Sequence, residues 1–182
     1  QRNIELSNAK QILTLNERKY KNLYQGSDVS IWEEDFSELV DALDLLKQQG
    51  IVDIRRYLTE NPDYLVALTN KVKVLGVNNA TLTMFEAESS EDFVNRISEV
   101  FDDSTSMMVF SQEIEAIWEQ QDYFRKEVKQ KTLKGNVITT ILSLPIPKTK
   151  AEFSRIPVTL VDTTMLQKAH EQLRKLSLAI QH

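Results

Sequence analysis

The sequence contains no cysteine. That absence removes disulfide frameworks, thiolate metal sites and cysteine nucleophiles together, and it fits a reducing compartment. Glycine and proline are scarce, at four each in 182 residues. Four glycines can hardly build a phosphate-cradling loop, and so little of either residue beside 41% hydrophobic residues argues against a disordered chain. Histidine occurs only at His170 and His182, so no His-rich spacing suggests a metal and none is expected. No apolar run approaches the roughly 20 residues that span a bilayer. The first ten residues, "QRNIELSNAK", lack the apolar centre of a signal peptide. The segment is therefore expected to be cytoplasmic, with no membrane contact of its own. Positive charge is the minority, giving a formal net charge of −5. That argues against a nucleic-acid partner, because phosphate binding needs a basic face. The one basic stretch, "FRKEVKQKTLKG", is interleaved along a strand and reads as its wet side.

What is present can fold. Hydrophobic residues make up 41% of the chain, and the length suits one domain with extensions. Leu6, Ala9, Leu13, Asn16, Tyr20 and Leu23 step by three and four, a heptad seam that predicts a long first helix ending near Gly26. "VSIWEED" reads as a short strand. "DFSELVDALDLLKQQG" follows as a helix with Asp35 as its N-cap and Gly50 as its stop. "IVDIRRYL" gives a short helical turn, and "ENPDYLVALTN" a helix with Asn61 as cap and Pro62 at its first position. "KVKVLGVNNA" is strand-like and runs into the short helix "NNATLTMF". "SSEDFVNRISEVF" opens on a Ser89-to-Asp92 capping pattern and is expected to turn Phe93, Ile97 and Val100 or Phe101 inward. The next helix, "DDSTSMMVFSQEIEAIWEQQ", is expected to pack along Met107, Phe110, Ile114 and Ile117. Three β-rich runs follow, "YFRKEVKQKTL", "NVITTILSLPI" and "SRIPVTLVD", the first two joined by the hairpin turn "KGN". A closing helix completes an α+β order: one antiparallel sheet of five strands, helices on one face, and long helices at both ends.

Several of these pieces resemble the PAS family. "VKVLGVNNATLTMF" is similar to the family's second strand, which ends in Val-Asn before a small amphipathic turn. "FRKEVKQKTLKGNVITTILSLPI" resembles the PAS hairpin, with Lys-Gly where the family often has Asp-Gly. "VTLVDTTMLQKAHEQL" resembles the closing strand and its Asp-x-Thr exit into a signalling helix. "ERKYKNLYQGSDVSIWEED" is similar to the lead-in helix and first strand. The departure is a helical insertion between the first two strands, at about 36–69, of the kind seen in some bacterial sensor-kinase PAS domains. The division expected is a lead-in helix at 1–25, a sensor domain at 26–162 and a signalling helix at 163–182.

The resemblance implies a non-catalytic sensory and dimerisation module of a bacterial two-component protein, with a sensor histidine kinase as parent and a kinase or other output domain downstream. It also implies a space between sheet and helices, lined by Trp32, Phe85, Phe101 and Leu142, that holds a small molecule or only these side chains. The inserted block is a candidate lid for that space. Flavin photochemistry of this family needs a cysteine in an Asn-Cys-Arg context, which is missing, and haem is not expected because both histidines lie on the exit helix. No particular cofactor is implied. The alternative is a ligand-free protein–protein interaction module.

"AHEQLR" also invites a phosphoacceptor reading for His170. The proline that usually follows such a box is replaced by "KLSL", which favours a solvated helix face. The adjacent acids Glu33-Glu34-Asp35 and Asp102-Asp103 read as caps and solvated charge rather than as catalytic pairs. In the exit helix Leu166, Ala169, Leu173, Leu176 and Ile180 form a second seam, and Thr164 with Gln167 suggests a capping box. Asp162, Thr163 and Thr164 are therefore candidates for signal transmission. Leu13, Tyr20, Leu166, Leu173 and Leu176 are candidates for a parallel homodimer through the two terminal helices; these could instead fold back on the outer sheet face, or one end could fold back while the other pairs.

Overall fold

The computed structural model describes residues 1–101 and 104–180, so Asp102-Asp103 and His182 lie outside the described residues. The elements run α1 (Arg2–Gly26), β1 (Ser30–Asp35), α2 (Ser37–Gln48), α3 (Ile54–Glu60), α4 (Pro62–Thr69), β2 (Lys73–Val77), α5 (Asn79–Phe85), α6 (Ser90–Asn95), α7 (Ser104–Trp118), β3 (Tyr123–Lys131), β4 (Val137–Pro145), β5 (Ile156–Asp162) and α8 (Thr164–Ile180). The strands form one sheet in the order β2-β1-β5-β4-β3, antiparallel throughout. The α+β architecture expected from the sequence is the one observed.

Alternation along each strand sets the layers, because successive side chains point to opposite faces. Ser30, Trp32 and Glu34 of β1 point inward beside Val158 and Ile156 of β5, while Glu33 pairs with Pro157 on the outer face. β2 bulges against β1: Glu33 is opposite Gly76 and Glu34 opposite Val74, leaving Leu75 unpaired. The β3–β4 hairpin closes at Gly135, whose φ of 86° suits a residue without a Cβ. There the Gly135 N–H donates to the Thr132 carbonyl at 2.9 Å.

Three local expectations shift. Phe36 rather than Asp35 is the N-cap residue of α2, although Asp35 Oδ1 still accepts from the Ser37 N–H at 2.8 Å. Asn61 makes no side-chain cap to α4. Its amide donates backward to the Tyr57 carbonyl at 2.8 Å, closing α3 instead. The helix expected through Val100 breaks after Asn95 and resumes as a 3-10 turn at Ile97–Glu99, which buries Phe93 and Val100 and leaves Ile97 and Phe101 half-buried.

Helix α7 departs most. Its buried residues are Ser106, Val109, Glu113, Ile114, Ala116 and Ile117, whereas Met107 and Phe110 are only half-buried. The reason is placement: α7 lies between β3 on one side and the inserted α3 and α4 on the other. Two of its faces are covered, so a single apolar stripe does not describe it. The insertion is thereby fixed beside α7. Arg55 of α3 pairs with Glu115 at 2.6 Å, and Lys47 of α2 lies 4.7 Å above the Trp118 ring.

Candidate functional site

Four features distinguish this domain from a generic α+β body: an aromatic interior, a polar hub at the entrance of the chain, a joint at its exit, and two buried acids.

The interior is built around Trp32. Its ring meets Phe85, Phe93 and Phe101 edge-on, with centroids 5.6, 5.1 and 5.7 Å away. Edge-to-face rings place a positive edge on a negative face, so the cluster is held by geometry as well as by apolar area. Leu142 of β4 is buried in the same core. The structure thus places Trp32, Phe85 and Leu142 in the core and Phe101 half-exposed at its margin. A surface recess between α2, the end of α7 and the following loop is lined by Val40, Leu43, Lys47, Trp118 and Phe153, among others. It takes in none of the four candidate pocket residues.

The hub is Asn78, the residue after β2 and fully buried. Its Oδ1 accepts from the Ile31 N–H at 2.9 Å, the Thr81 N–H at 3.2 Å and the Thr81 hydroxyl at 2.9 Å. Its amide donates to the carbonyls of Tyr24 at 2.8 Å and Val29 at 2.9 Å. One side chain therefore ties the end of α1, the start of β1 and the first turn of α5. The Ser30 and Thr81 hydroxyls meet at 2.8 Å, and the Trp32 indole N–H donates to Ser30 at 3.1 Å. A polar chain thus runs from the aromatic interior to the last turn of α1. The Val-Asn strand end carried this hub in the sequence, but the five bonds become visible only when the three elements meet.

Ahead of the hub, α1 meets the outer sheet face. The Tyr20 hydroxyl donates to Glu33 Oε1, and Arg155 Nη2 donates to Glu33 Oε2 at 2.8 Å. Tyr20 stacks on Tyr24, with centroids 6.1 Å apart and planes 11° from parallel. Tyr20, a seam residue by its spacing, is thus engaged by its own sheet. Burial alone would raise the Glu33 carboxyl; the hydrogen bonds from Arg155 and Tyr20 and the Arg155 charge outweigh it and hold Glu33 below the usual range. Burial, reinforced by the Glu33 charge, pushes the Tyr24 phenol up, and its hydroxyl is buried with no hydrogen-bond partner among the described residues.

The exit joint lies at the other end. Thr164 Oγ1 accepts from the Thr139 N–H of β4 at 2.9 Å, so it does not form the expected capping box with Gln167. Gln167 reaches Glu127 of β3 at 2.6 Å instead. A side chain at a sheet edge finds strand donors as near as helix donors, which the local pattern cannot reveal. Thr163 donates to the Thr139 carbonyl through its N–H at 2.8 Å and its hydroxyl at 3.2 Å, and Asp162 Oδ1 accepts from the Thr164 N–H at 2.8 Å. Beyond this clasp α8 stands clear, with Leu166, Leu173, Leu176 and His170 exposed. Leu13 on α1 is exposed likewise.

The acids Glu33 and Glu34 are not solvated charge, as their neighbourhood in sequence suggested. Both are buried, on opposite faces of β1, because alternation separates adjacent side chains. The Glu34 carboxyl has no hydrogen bond or ion pair among the described residues, and burial pushes it up to about 8. Glu113 of α7 is raised well above the ordinary value by burial and by the charge of Glu34. Both carboxyls are pushed the same way, which is not the divided pattern of an acid–base pair. No sequence signal marks them, since polar residues at core positions contradict any pattern reading. Among the described residues no group of three or more acids or histidines is placed to hold a metal, and no helix is long and apolar enough to cross a membrane.

No family model matches this chain, and no curated protein matches it. Solved structures match it in fold. An RNA-binding light-oxygen-voltage receptor is 13% identical with a TM-score of 0.58, covering 93% of this chain and 39% of that one. The PAS domain of a protein from Colwellia psychrerythraea is 9% identical with a TM-score of 0.53, covering 81% and 97%. A domain of a sensory box sensor histidine kinase/response regulator from Geobacter sulfurreducens is 13% identical with a TM-score of 0.51, covering 82% and 96%. At such identities the likeness speaks for the fold, and it agrees with the five-stranded antiparallel sheet: this chain has the fold of a PAS domain.

Proposed function

We propose that the chain is the sensory and dimerisation module of a bacterial two-component signalling protein, with a histidine kinase as its parent. It pairs in parallel with a second copy through α1 and α8, and it passes a conformational signal along α8 to a downstream output domain. The observation that carries this reading is the pair of terminal helices, whose large apolar residues stand in water: Leu13 is 59% exposed, Leu166 72%, Leu173 66% and Leu176 60%. Burying each in a seam is worth roughly 1.5–3 kcal/mol, a strong reason for a second copy. The sensor histidine kinase/response regulator from Geobacter sulfurreducens supports the choice of parent by its likeness in fold. Because α8 continues from β5 through the Thr139–Thr163–Thr164 clasp, a shift in the sheet changes the angle of the helix. Sedimentation across a concentration series tests the pairing. A concentration-dependent dimer that Leu173→Glu weakens is expected; a monomer at every concentration refutes it.

A second reading, an interaction module without a small-molecule ligand, is favoured by Trp32, whose ring touches three phenylalanines in the space a ligand would fill. Native mass spectrometry of freshly purified protein separates the two. A retained small molecule supports a ligand-binding sensor, and the bare polypeptide mass supports the interaction module.

A further inference from the structure

Helix α1 touches the body of the protein only through its last two turns. Every residue before Tyr24 is exposed, and Tyr24 and Gln25 are half-buried. Two anchors of unlike character hold those turns, beside the Asn79 N–H, which donates to Gln25 Oε1 at 3.0 Å. The Asn78 hub grips the Tyr24 carbonyl from a fully buried side chain with all its bonding capacity used. One turn earlier, the Tyr20–Glu33–Arg155 contact sits at the surface, with the Arg155 side chain 65% exposed and Tyr20 half in water. The first anchor is built to stay closed; the second is open to competition from solvent.

Two observations make the second anchor a movable part. Docking α1 buries the Tyr24 hydroxyl without a partner. Lifting α1 would rehydrate that hydroxyl and so offset part of the loss of the Glu33 bonds. Arg155 also directly follows a 3-10 turn at Lys150–Ser154 that belongs mechanically to the inserted block. The Phe36 N–H donates to the Phe153 carbonyl at 2.8 Å, and Lys150 pairs with Asp41 of α2 at 2.5 Å and with Asp44 at 3.4 Å. Movement of α2 therefore pulls on the segment that presents Arg155.

We propose that Tyr20, Glu33 and Arg155 form a latch that sets whether the end of α1 lies on the sheet, and that the inserted helical block operates it through the Lys150–Ser154 turn. The proposal rests on the reading of α1 as a helix that pairs with a second copy, and it gives that helix its regulation. Asn78 acts as the hinge about which α1 lifts. The insertion then has a role other than covering the interior: it reaches the outer face of the sheet through one loop.

The test is fluorine NMR of the full chain carrying 3-fluorotyrosine, in which the five tyrosines give five signals assignable by Tyr→Phe variants. In Glu33→Gln and in Arg155→Ala the Tyr20 and Tyr24 signals shift to solvent-exposed positions, while Tyr57, Tyr64 and Tyr123 stay in place. In Lys150→Glu the same two signals shift part of the way. Tyr24 unmoved in Glu33→Gln overturns the latch, as do five signals moving together, which would mark general unfolding. Tyr20 and Tyr24 unmoved in Lys150→Glu overturns the control by the insertion. Sedimentation of the same samples keeps the questions apart. A monomer whose Tyr24 signal shifts refutes the paired-helix reading and upholds the latch; a dimer whose Tyr24 signal stays fixed refutes the latch alone.

Discussion

Glu33 and Glu34 are neighbours in sequence and opposites in environment. Glu33, on the outer face of β1, receives hydrogen bonds from Arg155 and Tyr20 and is held ionised. Glu34, on the inner face, has no such partner among the described residues and is held protonated near neutrality, with Glu113 raised beside it. The difference teaches how the domain divides its labour. The inner face is a packed body in which charge is suppressed. The outer face and the two helices beyond it keep charge and leave apolar side chains in the open.

Four changes test that contrast. The largest effect belongs to the inner face. Trp32→Ala removes the ring at the centre of the aromatic cluster and should cost about 3–5 kcal/mol in denaturant unfolding. The pH dependence comes next. Glu34 is protonated in the folded protein up to about 8 and ionised in the unfolded chain above the ordinary 4.5, so unfolding releases a proton between those values. Stability should therefore fall as pH rises through that window, by up to roughly 1.4 kcal/mol per pH unit for one proton. Glu34→Gln should flatten the slope, read from unfolding curves at a series of pH values. Glu33 acts with the opposite sign. Its lowered value adds stability above the ordinary carboxylate range, lost as pH falls through the folded value. Glu33→Gln should cost about 1 kcal/mol at neutral pH and abolish that acid-side loss in the same curves. The smallest effect on folding belongs to the free helices. Leu173→Glu should leave unfolding of the body within about 0.5 kcal/mol of the wild type at a concentration where the chain is monomeric.

The same contrast explains what was legible beforehand. Strand and helix order could be read because period-two and period-three-to-four patterns are local, and the strand end at Val77-Asn78 and the exit at Asp162-Thr163-Thr164 were visible as short motifs. The stripe of α7 was misjudged because the inserted α3 and α4 cover a second face of that helix, a fact of tertiary placement. Glu34 and Glu113 were invisible because a pattern reading sends acids to water. The bonds of Thr164 to Thr139, and of Tyr20 to Glu33, span 25 and 13 residues and join elements whose meeting no local spacing encodes. The terminal leucines were the reverse case: their spacing was plain in the sequence, and the structure leaves them exposed.

The central claim is that α1 and α8 pair in parallel with those of a second copy, and the absence of native cysteine makes it directly testable. Leu13→Cys and Leu173→Cys, oxidised in separate samples, should each give a covalent dimer, since in a parallel pair each seam residue faces its own counterpart. Val52→Cys, 88% exposed on the insertion, should not. Failure of both seam positions to cross-link, or cross-linking at Val52→Cys to the same extent, would contradict the account.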